Sequence, residues 1–96
     1  MKESPISRRI AKRLNRLPNT VVVKLHGSQY STAGMPDLLI VRDGKVAFLE
    51  TKNTLGKTRP RQDYMLMLLH NAGAVVGVVR SVEEAVAVLT AGGMMG

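Results

Sequence analysis

Two carboxylates and an ammonium lie close together near the middle of the chain, at Asp37, Glu50 and Lys52. They flank two short apolar runs that the dipeptide Asp43-Gly44 joins. Asp-Gly is a strong signal for a two-residue hairpin loop, because a type I′ turn needs positive φ at both central residues. We therefore predict a β-hairpin with the acidic residues at its open end.

The two-residue loop fixes which residues of the hairpin face each other. Arg42 pairs with Lys45, and counting outward along both strands brings Asp37 opposite Glu50. Directly opposed side chains share one face, with Cβ atoms roughly 5 Å apart, so two carboxylates there repel each other. A divalent cation bound between them removes the repulsion. The alternative is a surface hairpin end at which Lys52 merely neutralises two acids.

Strand alternation adds Lys52 to the acidic pair, because strand side chains point to the two faces with a period of two. Glu50 and Lys52 thus share a face with Val46 and Phe48. That face is otherwise apolar, and we expect it to be buried. The predicted site combines two acids and one ammonium at one end of this face.

At these residues the sequence resembles a known family of nucleases. Pro36-Asp37, followed after twelve residues by Glu50-Thr51-Lys52, is similar to the signature of the PD-(D/E)xK superfamily. The resemblance extends over nearly the whole chain, from about residue 3 to residue 89. Further matches narrow it to the virus-type replication-repair nuclease (VRR-NUC) family: Gly34, Gln62, Gly73 and Arg80-Ser-Val-Glu-Glu84.

The resemblance implies an α/β domain with a restriction-endonuclease-like αβββαβ core, a mixed central sheet and an added C-terminal helix. It implies a Mg²⁺- or Mn²⁺-dependent endonuclease that nicks DNA and leaves a 5′-phosphate. Asp37, Glu50 and the backbone carbonyl of Thr51 would bind the metal, since oxygen ligands suit these hard cations rather than zinc. Lys52 would orient the attacking water or stabilise the phosphate oxyanion.

Two further candidate site residues each have an alternative interpretation. Glu3 matches an acidic residue that the family places near the metal in its first helix. It shares the buried stripe of that helix only if the first turn begins near Lys2 rather than at Ser4, and an exposed acid there would simply favour the helix dipole. The family uses a Gln beside its active site, and Gln62 matches it on the inward stripe of a predicted helix. The alternative role for Gln62 is a helix-capping amide.

Signals outside the hairpin predict the order αβββαβα. Ser4-Pro5 begins a helix that ends before Pro18, and the β-branched residues 20–25 form a first strand. Pro60 begins a second helix, which Gly73 ends.

The last third of the chain adds a strand and a helix. Residues 74–79 are apolar throughout, which predicts a central strand packed on both faces. The capping box of Ser81 and Glu84 begins a last helix that runs to about Thr90. We expect residues 91–96 to form a frayed tail. The 96 residues make a single domain, 1–96.

The composition favours a polyanionic partner. Fourteen Lys and Arg against seven Asp and Glu give a net charge of +7, and phosphates are bound largely through the release of counterions. We therefore expect DNA binding, although each basic side chain could also be simply solvated. The candidate DNA contacts are Arg9, Arg13, Lys24, Lys57, Arg59 and Arg61.

Other compositional features restrict the compartment. The chain has no cysteine, no signal-peptide pattern and no apolar run near the roughly 18 residues of a membrane span. We expect a cytoplasmic protein of a bacterial or phage-infected cell that is not secreted and does not bind membranes.

The second predicted helix suggests self-association. Residues 65–69 are apolar all around it, which is more than one buried face requires. Small stand-alone members of the family resemble Holliday-junction resolvases and pair as homodimers. We therefore expect a homodimer that covers Met65 or Leu68, and branched or junction DNA as substrate.

Two alternatives to this function stay open. One is a restriction- or flap-type nuclease, and the other is a basic DNA-binding module that no longer cuts. A binding module has no need to oppose Asp37 and Glu50, which favours catalysis.

Overall fold

The computed structural model describes residues 4–25 and 33–95. No helix in these two segments is both long and apolar enough to cross a membrane. The predicted α/β class and the order αβββαβα are confirmed. The elements are α1 (Pro5–Leu14), β1 (Thr20–Lys24), β2 (Leu38–Arg42), β3 (Lys45–Thr51), α2 (Pro60–Asn71), β4 (Val75–Val79) and α3 (Val82–Ala91).

The strands of the described segments form one mixed sheet in the order β1-β2-β3-β4. Strand β2 is antiparallel to both β1 and β3, whereas β3 and β4 are parallel. At the hairpin, φ is 51° at Asp43 and 82° at Gly44, and Arg42 pairs with Lys45. The predicted two-residue loop and its register are therefore confirmed.

Strand β4 lies at an edge of this sheet, so the prediction of a central strand is wrong. The prediction that both of its faces are covered is correct, because α2 and α3 both pack against it. At Gly77, an added Cβ would lie 2.9 Å from the side chain of Val88 on α3. An apolar run shows that both faces of a strand are covered, and it does not distinguish a central strand from an edge strand.

The hydrophobic core lies on one face of the sheet, beneath α1 and α3. Helix α1 contributes Ile10 and Leu14, which belong to its apolar stripe, and Ser4 caps its N-terminus as expected. The buried core residues of the described segments are Ile10, Leu14, Leu38, Ile40, Ala47, Leu49, Val79, Ala85, Leu89 and Met94.

The C-terminal residues belong to this core, so the predicted frayed tail at 91–96 is wrong as far as residue 95. Ala91 is still part of α3, and Met94 is only 4% exposed. The Met94 amide donates to the carbonyl of Leu89 over 2.8 Å. Burial of an apolar side chain and a satisfied backbone group hold this segment in place.

The opposite face of the sheet, which carries Glu50, is only partly covered. Helix α2 packs against β4, whereas Val46 on β3 is 36% exposed and Val21 on β1 is 58% exposed. The expectation that this face is buried is therefore wrong on the side of β1. A helix about 10 Å wide covers about two strands spaced about 4.8 Å apart, so one helix leaves half of a four-stranded sheet open.

Candidate active site

The topology gathers the candidate site residues at one end of the sheet. Asp37 directly precedes β2, whereas Glu50 and Thr51 are the last residues of β3. Because β2 and β3 are antiparallel, the start of one strand lies beside the end of the other. The parallel pairing of Thr51 with Val79 brings the end of β4 to the same place.

Asp37 is buried, with 7% exposure, and Thr51 holds its carboxylate. Oδ2 accepts a hydrogen bond from the Thr51 amide over 3.0 Å and another from the Thr51 hydroxyl. The β2–β3 ladder ends at the pair of Leu38 and Leu49, so the predicted pair of Asp37 with Glu50 lies one residue beyond it. If the antiparallel ladder continued, the Thr51 amide would donate a hydrogen bond to a backbone carbonyl. It donates to the Asp37 carboxylate instead.

Glu50 is 3% exposed and binds two of the predicted site residues. Its Oε2 lies 3.0 Å from Nζ of Lys52 and accepts a hydrogen bond from Nε2 of Gln62 over 2.9 Å. A buried carboxylate is costly unless charged and hydrogen-bonding partners compensate for its lost hydration. The structure thus brings these three side chains together, and their catalytic roles stay predictions.

Gln62 makes the contacts of both of its predicted roles at once. Its Oε1 accepts a hydrogen bond from the amide of Arg59, the N-cap residue of α2, over 3.0 Å. Its Nε2 donates to Glu50. Because an N–H donor requires the oxygen of the amide, capping the helix turns the nitrogen of Gln62 toward the carboxylate. Helix capping and contact with the site are therefore not alternatives here.

Gly34 brings the start of α2 against the segment that leads to Asp37. Its φ is +84°, and an added Cβ would lie 2.7 Å from the carbonyl oxygen of Arg61. Glycine alone adopts this conformation without strain and leaves room for the neighbouring backbone. The glycine of the nuclease signature thus lets the segment before Asp37 lie against the first turn of the helix that carries Gln62.

Arg80 is a site neighbour to which the sequence assigned no role. It follows β4, and its guanidinium donates to the carbonyl of Gly56 over 2.5 Å. At Gly56, an added Cβ would lie 3.4 Å from the side chain of Lys52. Arg80 therefore fastens the segment between β3 and α2 next to Lys52. The sequence contained one signal for this contact, because Arg80 is a cation that directly follows a strand ending at the site.

Glu3 lies outside the described residues. Helix α1 begins at Pro5 with Ser4 as its N-cap, so a first turn that begins near Lys2 is wrong. Within residues 4–25 and 33–95, no three His, Cys, Asp or Glu side chains come together as a metal site. The described candidate ligands are the two carboxylates and the Thr51 carbonyl. All of them are oxygen donors, which fit Mg²⁺ or Mn²⁺.

The predicted DNA contacts all lie on the surface. Ser4 Oγ is 3.1 Å from Thr51 Oγ1, so α1 begins at the site and its exposed cations lead away from it. Lys24 is at the end of β1, which the register places beside the start of β2. The exposed candidates are Arg9 and Arg13 on α1, Lys24 on β1, Lys57 and Arg59 before α2, and Arg61 in its first turn.

Comparison with known proteins agrees with this geometry. No protein-family model and no curated protein matches the sequence. Among solved structures, the fold is similar to one described as a VRR_NUC domain, with a TM-score of 0.73 and 28% sequence identity. The match covers 88% of this chain and 90% of that chain. The chain is therefore similar over nearly its whole length to a VRR_NUC domain, and its fold gathers the residues of the nuclease signature at one end of the sheet.

Proposed function

We propose that this chain is a nuclease domain of the VRR-NUC type, and that it is a metal-dependent endonuclease that hydrolyses phosphodiester bonds in DNA. The burial of both Asp37 and Glu50 at neighbouring strand ends supports this proposal most strongly. Burying two carboxylates is costly, and Lys52 and Gln62 offset this cost at Glu50. A divalent cation bound by both acids would offset it further, since carboxylate oxygens are ligands that Mg²⁺ prefers.

Asp37 and Glu50 would hold Mg²⁺ or Mn²⁺, with the Thr51 carbonyl as a further ligand. A cation bound there would polarise a water molecule and neutralise charge on the phosphate. Thr51 fixes the Asp37 carboxylate, whereas Lys52 and Gln62 fix that of Glu50. Both carboxylates are thus oriented before the substrate arrives, which lowers the reorganisation that the reaction would otherwise require.

Lys52 would act directly on the substrate as well as on Glu50. Its Nζ lies 3.0 Å from Oε2 of Glu50, and its side chain is 21% exposed. An ammonium has three N–H donors, so it can hold the carboxylate and still donate to a phosphate oxygen or to the attacking water. Charge that develops on the phosphate would therefore meet a donor that is already in place.

DNA would bind across two groups of cations that flank the site. One group lies at 57–61, between β3 and the first turn of α2, and the other lies on α1, with Arg9 and Arg13. A ten-residue helix extends about 15 Å, so α1 can follow the phosphate backbone away from the site. Such contacts position the duplex without reading its sequence, which suits an enzyme that recognises DNA structure. Lys24 would add a contact at the end of β1.

Branched or junction DNA is the proposed substrate, and a homodimer is the proposed assembly. Helix α2 exposes Tyr64, Met67 and Leu68, which are 59%, 49% and 41% exposed. Neighbouring exposed apolar side chains of this kind often mark interfaces. Leu68 is a better candidate than the half-buried Met65. A two-fold dimer would present two sites in the symmetric arrangement that a four-way junction has.

Sedimentation velocity tests the assembly. We expect a dimer at micromolar concentration, and a weaker dimer in Leu68→Lys, which places a charge on the exposed face. A monomer at tens of micromolar would contradict both the dimer and the junction preference.

A cleavage panel tests the activity itself. Duplex, flap, splayed-arm and four-way junction DNA would each be incubated with Mg²⁺, with Mn²⁺ or with chelator. We expect nicks with 5′-phosphates in the branched substrates when the cation is present, and no nicks in chelator. Preferential cutting of duplexes or flaps would support the restriction- or flap-type alternative. DNA binding without cutting in any cation would contradict the proposal and support a non-catalytic binding module.

A further inference from the structure

The hydroxyl of Thr51 connects Asp37 to the N-terminus of α1. Thr51 Oγ1 donates to Asp37 Oδ2, and Ser4 Oγ lies 3.1 Å from Thr51 Oγ1. Ser4 Oγ in turn accepts a hydrogen bond from the amide of Ser7 over 2.9 Å. Thr51, Asp37 and Ser7 are buried and Ser4 is half-buried, so the hydrogen bonds between Thr51 and Asp37 are the ones shielded from competing water.

The hydrogen bonds of this series all donate in the same direction, toward Asp37. An ionised carboxylate only accepts hydrogen bonds, so the Thr51 hydroxyl uses its single O–H group to donate a hydrogen bond to Asp37. Thr51 Oγ1 can then only accept from the hydroxyl of Ser4. The oxygen of Ser4 accepts a hydrogen bond from the amide of Ser7. In the first turn of a helix such amides have no intrahelical acceptor, so the Ser4 side chain supplies one. Each hydroxyl donates once and accepts once, so its rotation is fixed.

The same contacts orient the two oxygens of Asp37. Oδ2 accepts from both the amide and the hydroxyl of Thr51, and two donors satisfy the lone pairs of one carboxylate oxygen. If the Thr51 hydroxyl were missing, Oδ2 would lose one of these two donors, and the carboxylate would be less firmly held about its last bond.

We propose that the Thr51 side chain, supported by Ser4, is a positioning residue that orients Asp37 and thereby sets the affinity for the divalent cation. This inference rests on the proposed metal-dependent function. It is separate from the predicted role of the Thr51 backbone carbonyl as a ligand. Strand alternation turns the Thr51 side chain to the face of Leu49, which is core, and a hydroxyl there needs a partner.

Three variants separate the hydroxyl from the shape of the side chain. Thr51→Val removes the hydroxyl at nearly constant volume, and Thr51→Ser keeps the hydroxyl but removes the methyl group. Ser4→Ala leaves the direct bond between Thr51 and Asp37 and removes its support. Calorimetric titration of Mn²⁺ into the DNA-free protein measures the affinity, and circular dichroism checks that each variant is folded.

We expect Thr51→Val to bind Mn²⁺ about 10–100-fold more weakly and Thr51→Ser to stay within about threefold of the wild type, since the partners of metal ligands contribute on this scale. Ser4→Ala should fall between the two. In cleavage assays, Thr51→Val should need more Mn²⁺ for half of its maximal rate and should approach the wild-type rate at saturation. A purely structural role of Thr51 would not raise the required Mn²⁺ concentration while leaving the rate at saturating Mn²⁺ nearly unchanged.

Wild-type Mn²⁺ affinity in a folded Thr51→Val protein would overturn the inference and leave the proposed function intact. Equal losses in Thr51→Val and Thr51→Ser would also overturn it, because packing would then be the cause. If Thr51→Val does not fold, unchanged affinity in Ser4→Ala overturns the inference. A wild-type protein that neither binds Mn²⁺ nor cuts would instead refute the proposed function.

Discussion

The side-chain amide of Gln62 joins the first turn of α2 to the carboxylate of Glu50 on β3. Its Nε2 donates to Glu50 Oε2 over 2.9 Å, and its Oε1 accepts from the Arg59 amide over 3.0 Å. One residue therefore begins a helix and orients a candidate metal ligand. Both contacts depend on an amide that has a donor at one end and an acceptor at the other.

The substitution Gln62→Glu removes the hydrogen-bond donor of this side chain and keeps its acceptor. A carboxylate can still accept from the Arg59 amide, but it faces Glu50 with a second negative charge. We expect the cleavage rate to fall by about 10–100-fold, as for other partners of metal ligands. Gln62→Met is the matched control, since it removes both hydrogen bonds and adds no charge. In chelator, Gln62→Glu should melt at a lower temperature than Gln62→Met because of the added repulsion, and cleavage by Gln62→Glu at the wild-type rate would contradict this role.

Gly34 and Gly44 provide a matched pair for the packing between Asp37 and α2. Their φ values are nearly equal, +84° and +82°, but an added Cβ meets the Arg61 backbone at Gly34 and nothing within 4 Å at Gly44. Alanine at Gly44 should cost about 1–2 kcal/mol of stability, the strain of a left-handed residue. Alanine at Gly34 should cost more, because the backbone of α2 must also move. Urea unfolding measures both costs.

The two glycine variants should also differ in activity. We expect Gly44→Ala to cut DNA at the wild-type rate, since the hairpin turn lies at the far end of the sheet from the site. Gly34→Ala should lose activity because α2 carries Gln62. Equal stability and equal rates in the two variants would show that the close approach at Gly34 has no role.

Short-range features of the sequence were sufficient to predict the hairpin. The Asp43-Gly44 dipeptide sets the turn through backbone chirality, and the turn then fixes each cross-strand partner of β2 and β3. The register predicts that Asp37 faces Glu50, and the structure places both residues at one end of the sheet, although the ladder ends at Leu38 and Leu49 and does not include this pair. The caps at Ser4 and Ser81 are equally local, and both form as predicted.

Features that depend on how the elements pack could not be predicted in the same way. The apolar run of β4 is the same for a central strand and for an edge strand with a helix on each face. The contact between Ser4 and Thr51 joins residues 47 positions apart, and it exists because α1 packs across the core face of the sheet. The burial of Met94 likewise depends on where α3 ends relative to β3 and β4.

Lys57 and Lys45 provide a matched pair for the binding of DNA. Both are exposed, but Lys57 lies beside the site and Lys45 lies at the hairpin turn, at the opposite end of the sheet. Each lost phosphate contact reduces the slope of log affinity against log salt by about 0.9 for B-DNA. We expect this change in Lys57→Gln and no change in Lys45→Gln.

Combining Lys57→Gln with Arg59→Gln and Arg61→Gln should reduce the salt slope further and weaken binding equally for all DNA sequences. Fluorescence anisotropy at several salt concentrations measures both effects. Equal slopes for Lys57→Gln and Lys45→Gln would contradict the assignment of this segment, and a sequence-dependent loss would show that it reads bases.

The central claim is that Asp37 is a ligand of the catalytic metal, and Asp37→Asn tests it most directly. Asparagine keeps the shape and an oxygen that can accept both hydrogen bonds from Thr51, but it removes the negative charge and replaces the other carboxylate oxygen by an amide nitrogen. Cleavage of junction DNA would be measured in Mg²⁺ and in Mn²⁺, and DNA binding would be measured in chelator. We predict a loss of cleavage of about a thousandfold or more, because metal stabilisation of the transition state is worth several kcal/mol, with DNA affinity within a few-fold of the wild type. Undiminished cleavage by Asp37→Asn in Mg²⁺ would contradict the claim.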